Sequence, residues 1–153
     1  MELVHRPKGY ARYRFLADTA HGVHSPFIFE FVNDLLTDGT NYYLYEPIES
    51  IRAGLLLNNG TIPVTDLGGG GVKTSQRRLR DICSKSALPA KYGQLLFRMV
   101  NRFRPETILE LGTSLGISGL YLAMAQRKAN MITLEGCPET AKVAQKNFQR
   151  LHA

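Results

Sequence analysis

Apolar and polar positions divide this chain into a helical front and an alternating back. Ile28, Phe31, Val32, Leu35 and Leu36 recur at helical spacing. Ser25-Pro26 before them is a helix start, because serine caps free amides and proline is tolerated at the first helical position. Asp38-Gly39 closes that segment. Ile48, Ile51 and Leu55 predict a second helix from Pro47 to the break at Asn58-Asn59-Gly60. Tyr92, Leu95, Leu96, Met99, Val100 and Phe103 predict a third, closed by Pro105. Then the period changes. Thr107 to Leu111 is short, apolar and flanked by turn residues, as a buried strand is, and Met131 to Leu134 repeats the pattern. Between them Ile117, Leu120, Tyr121, Met124 and Ala125 mark a helix face. After them Pro138 opens a last helix with Ala141, Ala144, Phe148 and Leu151 inward.

The predicted class is α/β. A helical N-terminal cap region (1–60) and a glycine-rich loop or linker (61–89) precede residues 90–153, which form the first β-α-β-α of a parallel sheet. The chemistry concentrates in ILELGTSLGIS, residues 108–118, read with Glu135 at the tip of the next strand. Gly112 and Gly116 let the backbone turn sharply and approach a ligand. The helix that starts near Ile117 presents free amides to it. Thr113, Ser114 and Ser118 add hydroxyls. Glu135 is placed to accept hydrogen bonds from two ribose hydroxyls, and Glu110 adds negative charge to the same crevice. The plain alternative is a tight strand-to-helix turn with a solvated strand end.

Spacing separates the cofactors. A dinucleotide loop reads GxGxxG, whereas glycines fall here at 112, 116 and 119, and Glu110 would oppose a pyrophosphate. A cationic ligand with an amino group suits the loop better. ExGxxxG followed by a later acid resembles the S-adenosylmethionine loop of Rossmann-like methyltransferases. YGQLLFRMV before ILELGTSLGISGLYLA is similar to the small-molecule O-methyltransferases of the catechol type. HGVHSPFIFEF, DLGGGG and TLEGCPETAKVAQKNF resemble a bacterial family of S-adenosylmethionine-dependent methyltransferases over most of residues 20–150.

The resemblance implies a Rossmann-like methyltransferase fold, of which this chain holds the N-terminal part, truncated at the C-terminus. It implies S-adenosyl-L-methionine as cofactor and a small-molecule methyl acceptor. Gly112, Thr113 and Gly116 would line the methionine part and Glu135 the ribose, with Gly136 and Cys137 beside the adenine. An exposed sheet edge would offer a route to a homo-oligomer. No residue stands out as general base. Two other readings stay open: a truncated, non-catalytic protein that binds cofactor or only associates, and an NAD- or nucleotide-binding enzyme.

Composition trims these readings. The net charge of +6 raises nucleic acid, but residues 1–107 hold 14 basic and 10 acidic groups and residues 108–153 hold 5 and 3, too thin a spread for a binding face. The densest cluster, Arg77, Arg78 and Arg80, reads as a solvated helix face. Cys83 and Cys137 form no CxxC pair, and with four histidines they give no metal-ligand spacing; two lone thiols suit a reducing compartment. No signal-peptide core or membrane-length run occurs, so the expected location is cytoplasmic. IPVTDLGGGGVKTS carries Lys73 and Thr74 in phosphate-loop order, but Leu67 and Val72 stand where GxxxxGK[ST] needs glycine. It reads as a flexible loop near the cofactor mouth. His21 and His24 read as capping or packing residues. Tyr42, Tyr43 and Tyr45 read as edge packing, or by resemblance as a substrate lid.

Overall fold

The structure is a computed structural model that describes residues 5–16, 22, 25–66 and 72–153. His21, His24 and Gly68 to Gly71 lie outside the described residues. The chain divides into two units, residues 1–39 and 40–153. In the first, α1 (His5–Leu16) exposes Tyr10, Tyr13, Phe15 and Leu16. α2 begins where the Ser-Pro pair predicts, with the Ser25 hydroxyl accepting from the Ile28 amide and Pro26 in the first turn. It runs from Pro26 through Glu30 and then widens, so that over Phe31–Leu36 the Thr37 amide reaches back five residues to the Val32 carbonyl (3.1 Å). Of its expected inward residues only Leu35 is buried.

The second unit begins at Thr40. The reason is burial: α3 (Tyr45–Leu57) sends Tyr45, Ile48, Ile51 and Leu55 into the core of this unit. Tyr45 packs with Tyr42, Phe97 and Tyr121 at ring-centroid distances of 5.2 to 5.8 Å, whereas Tyr43 is 82% exposed. Two of the three tyrosines therefore serve packing.

Thr61–Asp66 and Lys73–Arg78, expected as loop, are strands. β1 (Thr61–Asp66) pairs antiparallel with β2 (Lys73–Arg78), Thr61 opposite Arg78 and Asp66 opposite Lys73, and α4 (Leu79–Ser86) follows directly. The three arginines are thus not one helix face: Arg77 and Arg78 end β2, and Arg80 lies on α4.

α5 (Ala90–Phe103) forms where expected but is rotated. Gly93, Phe97 and Val100 face inward, whereas Tyr92 and Phe103 are about half exposed. The glycine sets this face, because a Cβ on Gly93 would overlap the Tyr121 ring.

β3 (Thr107–Leu111), α6 (Ile117–Ala125) and β4 (Asn130–Leu134) form a parallel crossover, with Thr107 opposite Asn130 and Leu111 opposite Leu134. α7 (Pro138–Leu151) closes the chain, burying Thr140, Ala144 and Asn147. The unit is mixed α/β. Its core lies among α3, α4, α5 and α6, where Ile48, Leu120 and Tyr121 are fully buried. Strand residues that face the helices, such as Ile108, are covered, but Leu109, Leu111, Ile132 and Leu134 are exposed on the other face. Among the described residues no helix is long and apolar enough to cross a membrane.

Two tests follow from the Gly93–Tyr121 contact and the Tyr121 hydroxyl. Gly93→Ala forces a methyl into the Tyr121 ring and should cost about 1–3 kcal/mol in urea unfolding. The Tyr121 hydroxyl donates to Glu49 Oε1 at 2.7 Å, and Glu49 also takes Arg52 Nε at 2.9 Å. Burial, then the hydrogen bond to Glu49, pushes the Tyr121 phenol well above its ordinary range. The neutral form is favoured when folded, so the stabilisation is whole below the unfolded value near 10 and is lost as pH rises above it. Tyr121→Phe should cost about 1 kcal/mol at pH 7, a gap that narrows as unfolding is followed above pH 10.

Candidate functional site

The register of β3 and β4 places both strand tips side by side, so the two loops that leave them must share space. The β3 loop is tied down at once: the Gly112 and Thr113 amides both donate to the Leu134 carbonyl, at 2.9 and 3.1 Å. Glu135 then bridges the loops. Its Oε2 accepts from the Ser114 amide at 2.6 Å and its Oε1 from the Cys137 amide at 2.9 Å. Three residues of this turn have positive φ: Gly112 (93°), Ser114 (48°) and Gly116 (85°). The glycines accept this freely; Ser114 holds it while its amide is fixed by Glu135.

A second polar network lies behind the loop, on the side of the sheet that faces α6. Glu110 accepts from the Ser118 hydroxyl and from the Thr133 hydroxyl, each at 2.6 Å. Thr133 spends its only proton on Glu110, so the Thr113 hydroxyl 2.5 Å away is the donor in that contact. The relay runs from Thr113 to Thr133 to Glu110. Thr113 is buried and Ser118 half-buried; Ser118 bonds Glu110 directly and Thr113 reaches it through Thr133.

The glycines differ too. A Cβ on Gly112 would meet nothing within 4 Å, leaving open space for a ligand's approach. One on Gly116 would press on Ala144 and Phe148 at 3.2 to 3.3 Å, so that glycine serves helix packing. α6 then starts with no side-chain cap on its first amides.

Beside the loops lies a cleft of about 400 Å³, to which Ser114, Glu135, Gly136 and Cys137 contribute, with Thr65, Asp66 and Arg77 from the hairpin on its other wall. Another, of about 730 Å³, runs along α7 and reaches Thr113, Thr133 and Glu135. Glu135 stands between the two. Glu110, Gly112, Gly116 and Ser118 line neither.

The hairpin residues are the part that sequence reasoning missed. Cys137 holds them in place: its buried sulfur accepts from the Thr65 amide at 3.4 Å and lies 3.8 Å from the Pro63 carbonyl oxygen. Burial alone would push this thiol up, but hydrogen bonds with the residues around it, including the Thr140 and Thr65 backbone, outweigh that and leave it below its ordinary value. From the other side Ser86, at the end of α4, brings its hydroxyl within 3.2 Å of the Ser114 hydroxyl. Thr133 was also missed, although one hydroxyl within the apolar run Met131–Leu134 marks it.

Comparison with family models, with curated proteins and with solved structures finds no match.

The relay is testable without a ligand. Thr133→Val removes a donor from half-buried Glu110 and an acceptor from Thr113, and should cost about 1–3 kcal/mol in chemical denaturation. Thr133→Ser should recover most of it.

Proposed function

We propose that this chain binds S-adenosyl-L-methionine and is part of a methyltransferase acting on a small-molecule acceptor. The observation that carries the reading is the meeting of Glu135 with the Ser114 amide at the tips of adjacent parallel strands. It supports a nucleoside cofactor because an acid at that place can take ribose hydroxyls beside a backbone-lined loop. Rossmann-like topology, which the parallel β3-α6-β4-α7 run is compatible with, belongs to the same proposal.

The residues present fit the cofactor. Each Glu135 oxygen spends one acceptor position on a loop amide and has another for a hydroxyl. Gly112 leaves open space at the first turn of the loop. Glu110 and Glu135 place two carboxylates around the turn, which favours an ammonium or sulfonium over a pyrophosphate. Bound S-adenosylmethionine would supply an electrophilic methyl on a sulfonium. Glu135 would hold the ribose, Gly136 and Cys137 would flank the base, and the Gly112 turn would admit the methionine end. The contribution of these residues to rate would be orientation and exclusion of water.

Calorimetry decides between cofactors. S-adenosylhomocysteine should bind more tightly than NADH, and Glu135→Ala should weaken it at least tenfold. Tighter NADH binding, or unchanged affinity in Glu135→Ala, would overturn the reading.

A further inference from the structure

A third concavity, of about 580 Å³, opens beside the loop cleft and shares Arg77, Ile82 and Ser86 with it. The two differ in charge. The loop cleft has Asp66 and Glu135 against Arg77, whereas its neighbour has Arg77, Arg78 and Lys85 against Asp81 alone. Asp81 is itself engaged, with Arg80 Nε 3.5 Å from its Oδ1. Among the described residues none of Arg77, Arg78 and Lys85 makes an ion pair with a carboxylate. Arg77 Nε is held by the Ser75 hydroxyl at 3.2 Å.

The fold does not require these cations here. β2 is exposed along its whole length, so its side chains are not placed by core packing. Three like charges lining one concavity repel each other, and a concave wall concentrates their field. Buried Ile82, in the floor of both clefts, adds an apolar surface on which a ring or short chain can lie.

We propose that this basic cleft holds the anionic end, a carboxylate or phosphate, of the methyl acceptor. The assignment rests on the methyltransferase reading above. Arg77, on the boundary, meets the oxyanion where the clefts join; Arg78 and Lys85 neutralise it from the hairpin end and from α4. Arginine's fork suits either oxyanion with two parallel hydrogen bonds. A bounded cleft favours a small ligand over a nucleic acid, which would need a longer track of charge than the thin spread along this chain offers.

The test follows the Arg side-chain Nε–H and Ser86 amide signals of the isotope-labelled full chain at constant ionic strength. It is titrated with phenyl phosphate, benzoate and a single-stranded oligonucleotide, with and without S-adenosylhomocysteine. The expected result is saturable binding of phenyl phosphate or benzoate, the tighter of the two naming the oxyanion. The double variant Arg78→Gln/Lys85→Gln should weaken it at least tenfold while S-adenosylhomocysteine affinity stays within twofold. Shifts that do not saturate, an unchanged double variant, or tighter binding of the oligonucleotide would overturn the proposal. The cofactor titration separates the two readings. Saturable anion binding in a chain that does not bind S-adenosylhomocysteine would overturn the acceptor assignment together with the methyltransferase reading. Cofactor binding without anion binding would overturn the basic cleft alone.

Discussion

The parallel pairing of β3 with β4 is the constraint from which the candidate site follows. Strands that run the same way cannot be joined by a tight turn, so the chain must leave β3, cross over through α6 and return. The crossover delivers two strand ends at the same edge of the sheet. Leu111 opposite Leu134 then fixes what comes next: the Gly112 and Thr113 amides find the Leu134 carbonyl, and Glu135 reaches Ser114. A slip of one residue would turn Glu110 to the open face and end its contacts with Ser118 and Thr133.

That register also sorts the two faces of the sheet in an unusual way. The helix-covered face carries polar residues, Glu110 and Thr133, beside Ile108 and Met131, while the open face carries Leu109, Leu111, Ile132 and Leu134. A carboxylate under a helix is tolerable only because hydroxyls from α6 and β4 satisfy it. Leu111, 75% exposed, shows how little the other face contributes to burial. Parallel sheets are ordinarily covered on both faces. Here the hydrophobic core lies among α3 to α6, and the described residues cover the pair of strands from one side.

Periodicity in the sequence is enough for α3, α6 and both parallel strands, because each has a continuous apolar stripe or run and clear turn residues at its ends. It misplaces the face of α5, because helical spacing alone does not mark Gly93 as a contact residue. There the absent side chain, pressed against Tyr121, decides the rotation. It passes over the hairpin for a different reason. Lys73 to Arg78 is polar throughout and exposed on both sides, so no alternation exists to be read. The hairpin's position depends on the Thr65–Cys137 contact, across 72 residues of chain, which no local pattern carries. Of the site, the acid and the turn were legible; the cleft's second wall was not.

The same missed wall changes the electrostatic argument about the loop. Taken alone, a glycine turn before a helix would suit a phosphate, since free amides and the helix dipole both attract anions. In this fold the Gly112 and Thr113 amides are spent on a carbonyl and the Ser114 amide on a carboxylate, so these three amides of the turn already have acceptors. An incoming anion would have to displace Glu135 from Ser114 and would meet Glu110 behind the turn, paying twice in repulsion. A ligand that brings hydroxyls and a positive charge keeps both carboxylates satisfied and adds to them. The cations lie one step away, between β2 and α4, where Arg77, Arg78 and Lys85 line a concavity with a single acid. The fold thus separates the signs: carboxylates around the turn, cations beyond the hairpin, and Arg77 between them. The proposed pair of ligands, a cationic cofactor and an anionic acceptor, suits that division better than any one nucleotide does.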